Sequence, residues 1–116
     1  MEIPTTVDQL NIYAIQSGNG FHFLTRDDII SLEAQGNYTR ITTTRSKYTC
    51  IRSLKNILEL LDNEQLVRVH NSCAINVQHA VEFIDSEDSM VMMDNGKKLP
   101  VSRRRRRELL NKYLQL

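Results

Sequence analysis

Tryptophan is absent from this 116-residue chain, cysteine and proline occur twice each, and glycine four times. Two cysteines, Cys50 and Cys73, are too few for the disulfide framework that holds small secreted domains together. The opening Met1-Glu2-Ile3-Pro4-Thr5-Thr6 has neither the basic patch nor the apolar stretch of an export signal, so a reducing cytoplasm is the expected compartment. No run of roughly 18 apolar residues occurs, which excludes a transmembrane helix, and no membrane partner is expected. Seven aromatics (four Tyr, three Phe) are few for a platform that stacks unpaired RNA bases, although Tyr38 and Tyr48 could each hold one. Catalytic signatures are missing too: there is no P-loop, nucleophile elbow or dinucleotide fingerprint, and no carboxylate pair suggests acid–base work. His70, Cys73 and His79 have an H-x2-C-x5-H spacing that matches no usual zinc site, so no metal is expected. The reading is a protein without enzymatic activity and without a cofactor.

What is present is an ordinary globular composition, 41% hydrophobic and 25% charged, in a length that fits one domain. The domain is expected to span 1–116, with a core of about 11–116 and residues 1–10 as an N-terminal extension or linker. A net charge of +1 conceals strong segregation. Lys97, Lys98, Arg103 to Arg107 and Lys112 put eight of fifteen cations into sixteen residues, opposed only by Glu108. Eight of the fourteen acids lie between Ile57 and Asn95. A basic face and an acidic face are expected, and the former is the electrostatic footprint of a polyanion binder.

The periodicity predicts short strands and two helices. Asn11 to Ile15 alternates, Gly18-Asn19-Gly20 is a hairpin signal, and Phe21 to Leu24 returns. Ile29 to Ala34, Tyr38 to Thr44 and Tyr48 to Ile51 continue what reads as a β-meander, turned at Gln35-Gly36-Asn37 and at Arg45-Ser46-Lys47. Ser53 is placed as an N-cap, before a stripe of Leu54, Ile57, Leu58 and Leu61 at helical spacing that should stop near Asp62-Asn63. Strands are expected at Leu66 to Val69, Cys73 to Ile75, Ala80 to Ile84 and Met90 to Met93. An edge strand, Lys97 to Val101, contains Pro100, which cannot donate to a ladder. Ser102 should cap a last helix from Arg103 to about Leu114, with Leu109, Leu110, Tyr113 and Leu114 on its apolar face. The fold class is mainly β, with elongated antiparallel sheets and two short peripheral α-helices.

Three segments can carry a binding function. Successive helical residues are about 100° apart, so at most two or three of the five arginines can meet one partner. A solvated helix face is the plainer reading. Yet cations at a helix N-terminus oppose the macrodipole, and an external anion such as phosphate would relieve them. Arg68-Val69-His70-Asn71-Ser72 gathers polar side chains where a strand must turn, with Asn and His suited to base edges; a simple turn is the alternative. Gln35 to Arg40 is a polar loop between strands, with Lys47 and Arg45 in the following turn as further positive charge.

Taken together, Ile29 to Tyr38, Ile51 to Leu54, Val67 to Asn76 and Asn95-Gly96 followed by Leu99-Pro100-Val101-Ser102-Arg103 resemble the LytTR DNA-binding domain, found at the C-terminus of many bacterial response regulators. The R-x-H-x-S-x-x-x-N and P-V-S-R elements are the most specific part. Cys73 departs from the aromatic common at its position, which reads as a change of packing. The resemblance implies an elongated all-β fold that reads double-stranded DNA through three loops rather than a recognition helix. Its first loop corresponds to Gln35, Asn37, Tyr38 and Thr39, leading into Arg40; its second to His70, Asn71 and Ser72; its third to Arg103. Arg68, Arg104, Arg106 and Lys47 would then hold phosphates. Implied partners are direct-repeat DNA sites, a second copy of the chain on DNA, and a receiver domain or sensor-kinase pathway if the module is part of a larger regulator. The expectation is sequence-specific transcription regulation in a bacterium. A protein-interaction module pairing through exposed strand edges is the alternative.

Overall fold

The computed structural model describes residues 11–116, and the expected N-terminal extension lies outside them. A hairpin of β1 (Ile12–Ser17) and β2 (Gly20–Thr25) forms a two-stranded sheet of its own. The meander expected from Asn11 to Ile51 is therefore interrupted. Next come β3 (Ile29–Gln35), β4 (Tyr38–Thr43), β5 (Lys47–Cys50), helix α1 (Leu54–Leu61), β6 (Leu66–His70) and β7 (Cys73–Asn76). The strands among them make one antiparallel five-stranded sheet in the order β5-β4-β3-β7-β6. β8 (Ala80–Ile84), β9 (Met90–Met93) and β10 (Lys98–Pro100) form a three-stranded sheet with β10 at an edge, and α2 (Arg103–Leu110) closes the chain. Pro100 thus lies on an edge strand, as its missing N–H requires.

Both faces of the five-stranded sheet are covered. On one, Val67, Val69, Cys73 and Ile75 pack with Val91, Met93, Leu99 and Val101 of the second sheet region and with Leu109 of α2. On the other, Leu32, Ile41, Leu66 and Ala74 pack against Ile15 and Leu24 of the hairpin and Leu54 and Ile57 of α1. Double coverage explains why Leu66-Val67 and Cys73-Ala74-Ile75 are continuous apolar runs, since neighbouring residues serve opposite cores. A bulge at Ile30 lets Ile29 and Leu32 face the same core despite their spacing.

The first helix follows its sequence signal closely. Ser53 Oγ accepts the Asn56 N–H at 3.1 Å, and the helix ends at Asp62, whose φ of 37° is left-handed. The second helix departs from expectation at both ends. Ser102 has extended N-cap backbone, but its hydroxyl makes no capping bond and is buried without a partner among the described residues. At the far end the helix stops at Leu110 instead of Leu114. Lys112 and Tyr113 donate to the carbonyls of Leu109 and Leu110, tightening the chain, and the Tyr113 hydroxyl reaches the Val77 carbonyl at 2.8 Å. Of the expected apolar face, Leu109 is buried, while Leu114 is exposed. No helix among the described residues is long and apolar enough to cross a membrane.

Candidate nucleic-acid interface

Three segments far apart in sequence meet at one end of the five-stranded sheet. β3 and β4 are joined by the two-residue turn Gly36-Asn37, and β6 and β7 by Asn71-Ser72. Because β3 and β7 are neighbours, the two turns emerge side by side, and the Ala34 N–H donates to the Ser72 carbonyl at 2.8 Å. The third segment is fixed by a bulge in β6. Arg68 pairs with Ala74 but His70 pairs with Cys73, so Val69 is an extra residue. A bulge leaves its extra residue out of the ladder, and the Val69 carbonyl instead accepts the Ser102 N–H at 2.8 Å. The start of α2 is thereby pinned beside the second turn.

These turns are open. Gln35, Gly36, Asn37, Tyr38, Asn71 and Ser72 are exposed, and Tyr38 keeps 51% of its surface. Gly36 sits at φ +64°, which glycine enters without strain, and a Cβ there would meet nothing within 4 Å. In the second turn, Arg68 Nε donates to the His70 carbonyl at 3.3 Å and Nη2 to the Asn71 carbonyl at 2.5 Å. His70 Nδ1 meets Ser72 Oγ at 2.9 Å and accepts the Ser72 N–H at 3.1 Å. On α2, Arg103, Arg104 and Arg107 are exposed, within about 100° of arc. With no side chain capping the helix, the N–H groups of its first turn and these guanidinium groups suit an anion.

Other expected site residues are placed elsewhere or occupied. Thr39 is fully buried and its hydroxyl donates to the Arg52 carbonyl at 2.8 Å, so it belongs to the packing beneath the first turn rather than to its surface. Arg40 is half-buried, opposite Glu33 across the β3–β4 pair. Lys47 does not add charge near the first turn. It pairs with Thr42 at the other end of β4, about 13 Å along the strand from Tyr38, because successive turns of a meander lie at opposite ends. Arg106, expected on phosphate, bonds Asp85 Oδ2 at 2.5 Å and lies over the Phe83 ring, 5.5 Å from its centroid. Asp85 belongs to the β8–β9 turn, whose Ser89 carbonyl accepts the Val101 N–H. Acidic residues therefore flank the basic helix on one side, and the two charge types are not on opposite faces there.

Several supporting residues carry no local sequence signal. Lys97 Nζ donates to Glu33 Oε2 at 2.8 Å, tying the β9–β10 turn to β3. Asn76, the last member of the R-x-H-x-S-x-x-x-N element, is fully buried; it donates to the Arg26 carbonyl and accepts the Gln78 N–H. The element thus combines a half-buried histidine and an exposed serine at the turn with a structural asparagine. His79 links Asp94 Oδ2 at 2.6 Å and the Asp27 carbonyl at 2.5 Å. Burial alone would lower its pKa, but the bonds from the Asp27 carbonyl and Asp94 carboxylate outweigh it and raise the pKa. The buried Cys73 thiol is pushed up to about 11, by desolvation first and by Glu33 second.

Known proteins share both sequence and fold with this chain. A family model described as the LytTr DNA-binding domain matches residues 19–114. The chain is 34% identical over 85 residues to the heme-containing CO-sensing transcriptional regulator RcoM 1 of Paraburkholderia xenovorans (strain LB400), covering 71% of this chain and 32% of that protein. It is 31% identical over 80 residues to the CO-responsive transcriptional regulator RcoM of Rhodospirillum rubrum, covering 68% of this chain and 34% of that one. The chain spans about a third of the length of the curated relatives it matches. Among solved structures it is similar to the LytTr DNA-binding domain of a putative methyl-accepting/DNA response regulator from Bacillus cereus. That match has a TM-score of 0.75 and 26% identity, and covers 86% of this chain and 96% of the other.

Proposed function

Because this chain belongs to the LytTR family of DNA-binding domains of transcriptional regulators, we propose that it binds specific double-stranded sites through three loops, as the output module of a two-component response regulator in the bacterial cytoplasm. The observation that carries the loop-reading mode is the pair of backbone bonds, Ala34 N–H to Ser72 and Ser102 N–H to Val69, that gathers residues 35–38, 70–72 and 102–104 at one sheet end. In this reading Gln35, Asn37, Tyr38, His70, Asn71 and Arg103 face bases, with Ser72 shaping the second turn. Arg104 and Arg107, with the first-turn N–H groups of α2, hold phosphates. The buried apolar face of α2 supports this arrangement, since Leu109 is committed to the core and leaves the helix no freedom to lie deep in a groove.

The test is selection of bound duplexes from a random pool. The expected result is an enriched motif with two similar half-sites about one helical turn apart, which also reports a second copy on the DNA. Recovery of duplexes with no common sequence contradicts specific reading.

A further inference from the structure

We propose that His70 is a specificity-determining residue of the second loop, presenting a single fixed hydrogen-bond donor to an acceptor on a base edge, and that Arg68 is the positioning residue that holds it there. This rests on the DNA-binding reading above. Neutral imidazole has one donor and one acceptor nitrogen, and which is which depends on the partner each one meets. Here the Ser72 backbone N–H points at Nδ1 at 3.1 Å, and an N–H can only donate. Nδ1 is therefore the acceptor, and the proton resides on Nε2. The Ser72 hydroxyl, 2.9 Å from the same nitrogen, reinforces this. Nε2–H has no partner among the described residues and sits at the exposed turn.

The turn that aims this donor is held from below. Arg68 donates to the carbonyls of both His70 and Asn71, so one guanidinium clamps the two peptide units that carry the loop's side chains. The bulge at Val69 leaves His70 paired with Cys73 as the last ladder residue before the turn, within reach of the Arg68 guanidinium through its carbonyl. A planar fork can meet two carbonyls at once, whereas an ammonium group lacks that geometry. Arg68, expected on phosphate, instead directs its bonds inward to the loop. The specificity that follows is for acceptors: purine N7, guanine O6 or thymine O4 fit an Nε2–H, while the amino groups of adenine and cytosine oppose it.

Two readouts test this. In the first, the ring nitrogens of His70 are observed by long-range 1H–15N NMR on the free protein. The expected spectrum has an unprotonated Nδ1 and a protonated Nε2, and the Arg68→Ala variant moves towards a mixture while its melting curve stays cooperative. In the second, affinities are measured on the selected duplex and on a scrambled one. His70→Ala is expected to lose about tenfold on the selected duplex only, and His70→Gln, which keeps a side-chain N–H donor, to recover part of it. Where the contacted acceptor is a purine N7, replacing that purine by its 7-deaza analogue should weaken the wild type and leave His70→Ala unchanged. Arg68→Ala should erode the preference without altering the salt dependence on scrambled DNA, and Arg68→Lys should not restore it. An Nδ1–H or mixed tautomer in the wild type overturns the proposal. So does an Arg68→Ala loss that is equal on both duplexes with a salt slope reduced by about one, the mark of a phosphate contact. A wild type with no preferred duplex overturns the DNA-reading premise itself, whereas a preferred duplex indifferent to His70→Ala overturns only this inference.

Discussion

At the scale of single residues, equal charge does not mean equal role. Arg106 is held by Asp85 and Phe83, while Arg103 stands exposed at the first position of α2 beside the second loop. Arg103→Ala is expected to cost about 1–3 kcal/mol of binding to the selected duplex and to relax discrimination at one base pair. Arg103→Lys should not rescue it, because a point charge lacks the bidentate fork for guanine O6 and N7. Arg107→Ala should weaken binding slightly and equally on all sequences. Fluorescence anisotropy on selected and scrambled duplexes at one salt concentration decides this, and equal losses from both variants contradict it. Arg106→Ala should instead act on stability, by about 0.5–1 kcal/mol in a denaturant melt. His79 gives a pH prediction. Its pKa is raised above the ordinary 6.5, so the stability from its imidazolium bonds is fully present below that value and is lost as pH rises through the higher folded-state value. Unfolding free energy should therefore fall as pH rises above 6.5 in the wild type more than in His79→Gln; parallel profiles count against the linkage. Of these residues, the exposed place of Arg103 at the start of α2 was legible because the cap position and the run are local signals. The roles of Arg106 and His79 were not, because their partners lie 21 and 52 residues away and only the folded chain brings them together.

At the scale of elements, the strands and α1 were readable because turn residues and apolar spacing agree there. Ser53 caps α1 as its position suggests, and Ser53→Ala should cost about 0.5–2 kcal/mol in a thermal or urea melt, with α1 frayed first by hydrogen exchange. An unchanged melt contradicts the cap. What could not be read was how strands partition among sheets. β3 chooses β7 as its second neighbour across 40 residues of chain, and nothing in the apolar run of either strand names the other. The bulge at Val69 was equally hidden, since it adds a residue without changing composition. Its consequence is large, because the freed Val69 carbonyl is what anchors α2 to the second loop. The premature end of α2 has a similar origin: the Tyr113 hydroxyl bonds to Val77, a residue 36 positions earlier.

At the scale of the whole molecule, the near-neutral chain meets a polyanion through a local cluster of charge, the exposed Arg103, Arg104 and Arg107 of α2 beside the second loop, with Asp85 of the β8–β9 turn at its border. If about four phosphates are contacted, the logarithm of the binding constant should fall against the logarithm of salt with a slope near −4, and a flat response contradicts an electrostatic interface. The central claim is that three loops form one reading surface, and backbone amide NMR during titration with the selected duplex tests it most directly. The account predicts that amides of 35–38, 70–72 and 102–104 shift together at the same DNA ratio, while those around Lys47 and in the exposed part of α1 stay still. Perturbations centred on α1 or the β1–β2 hairpin, with the three loops unmoved, would contradict it.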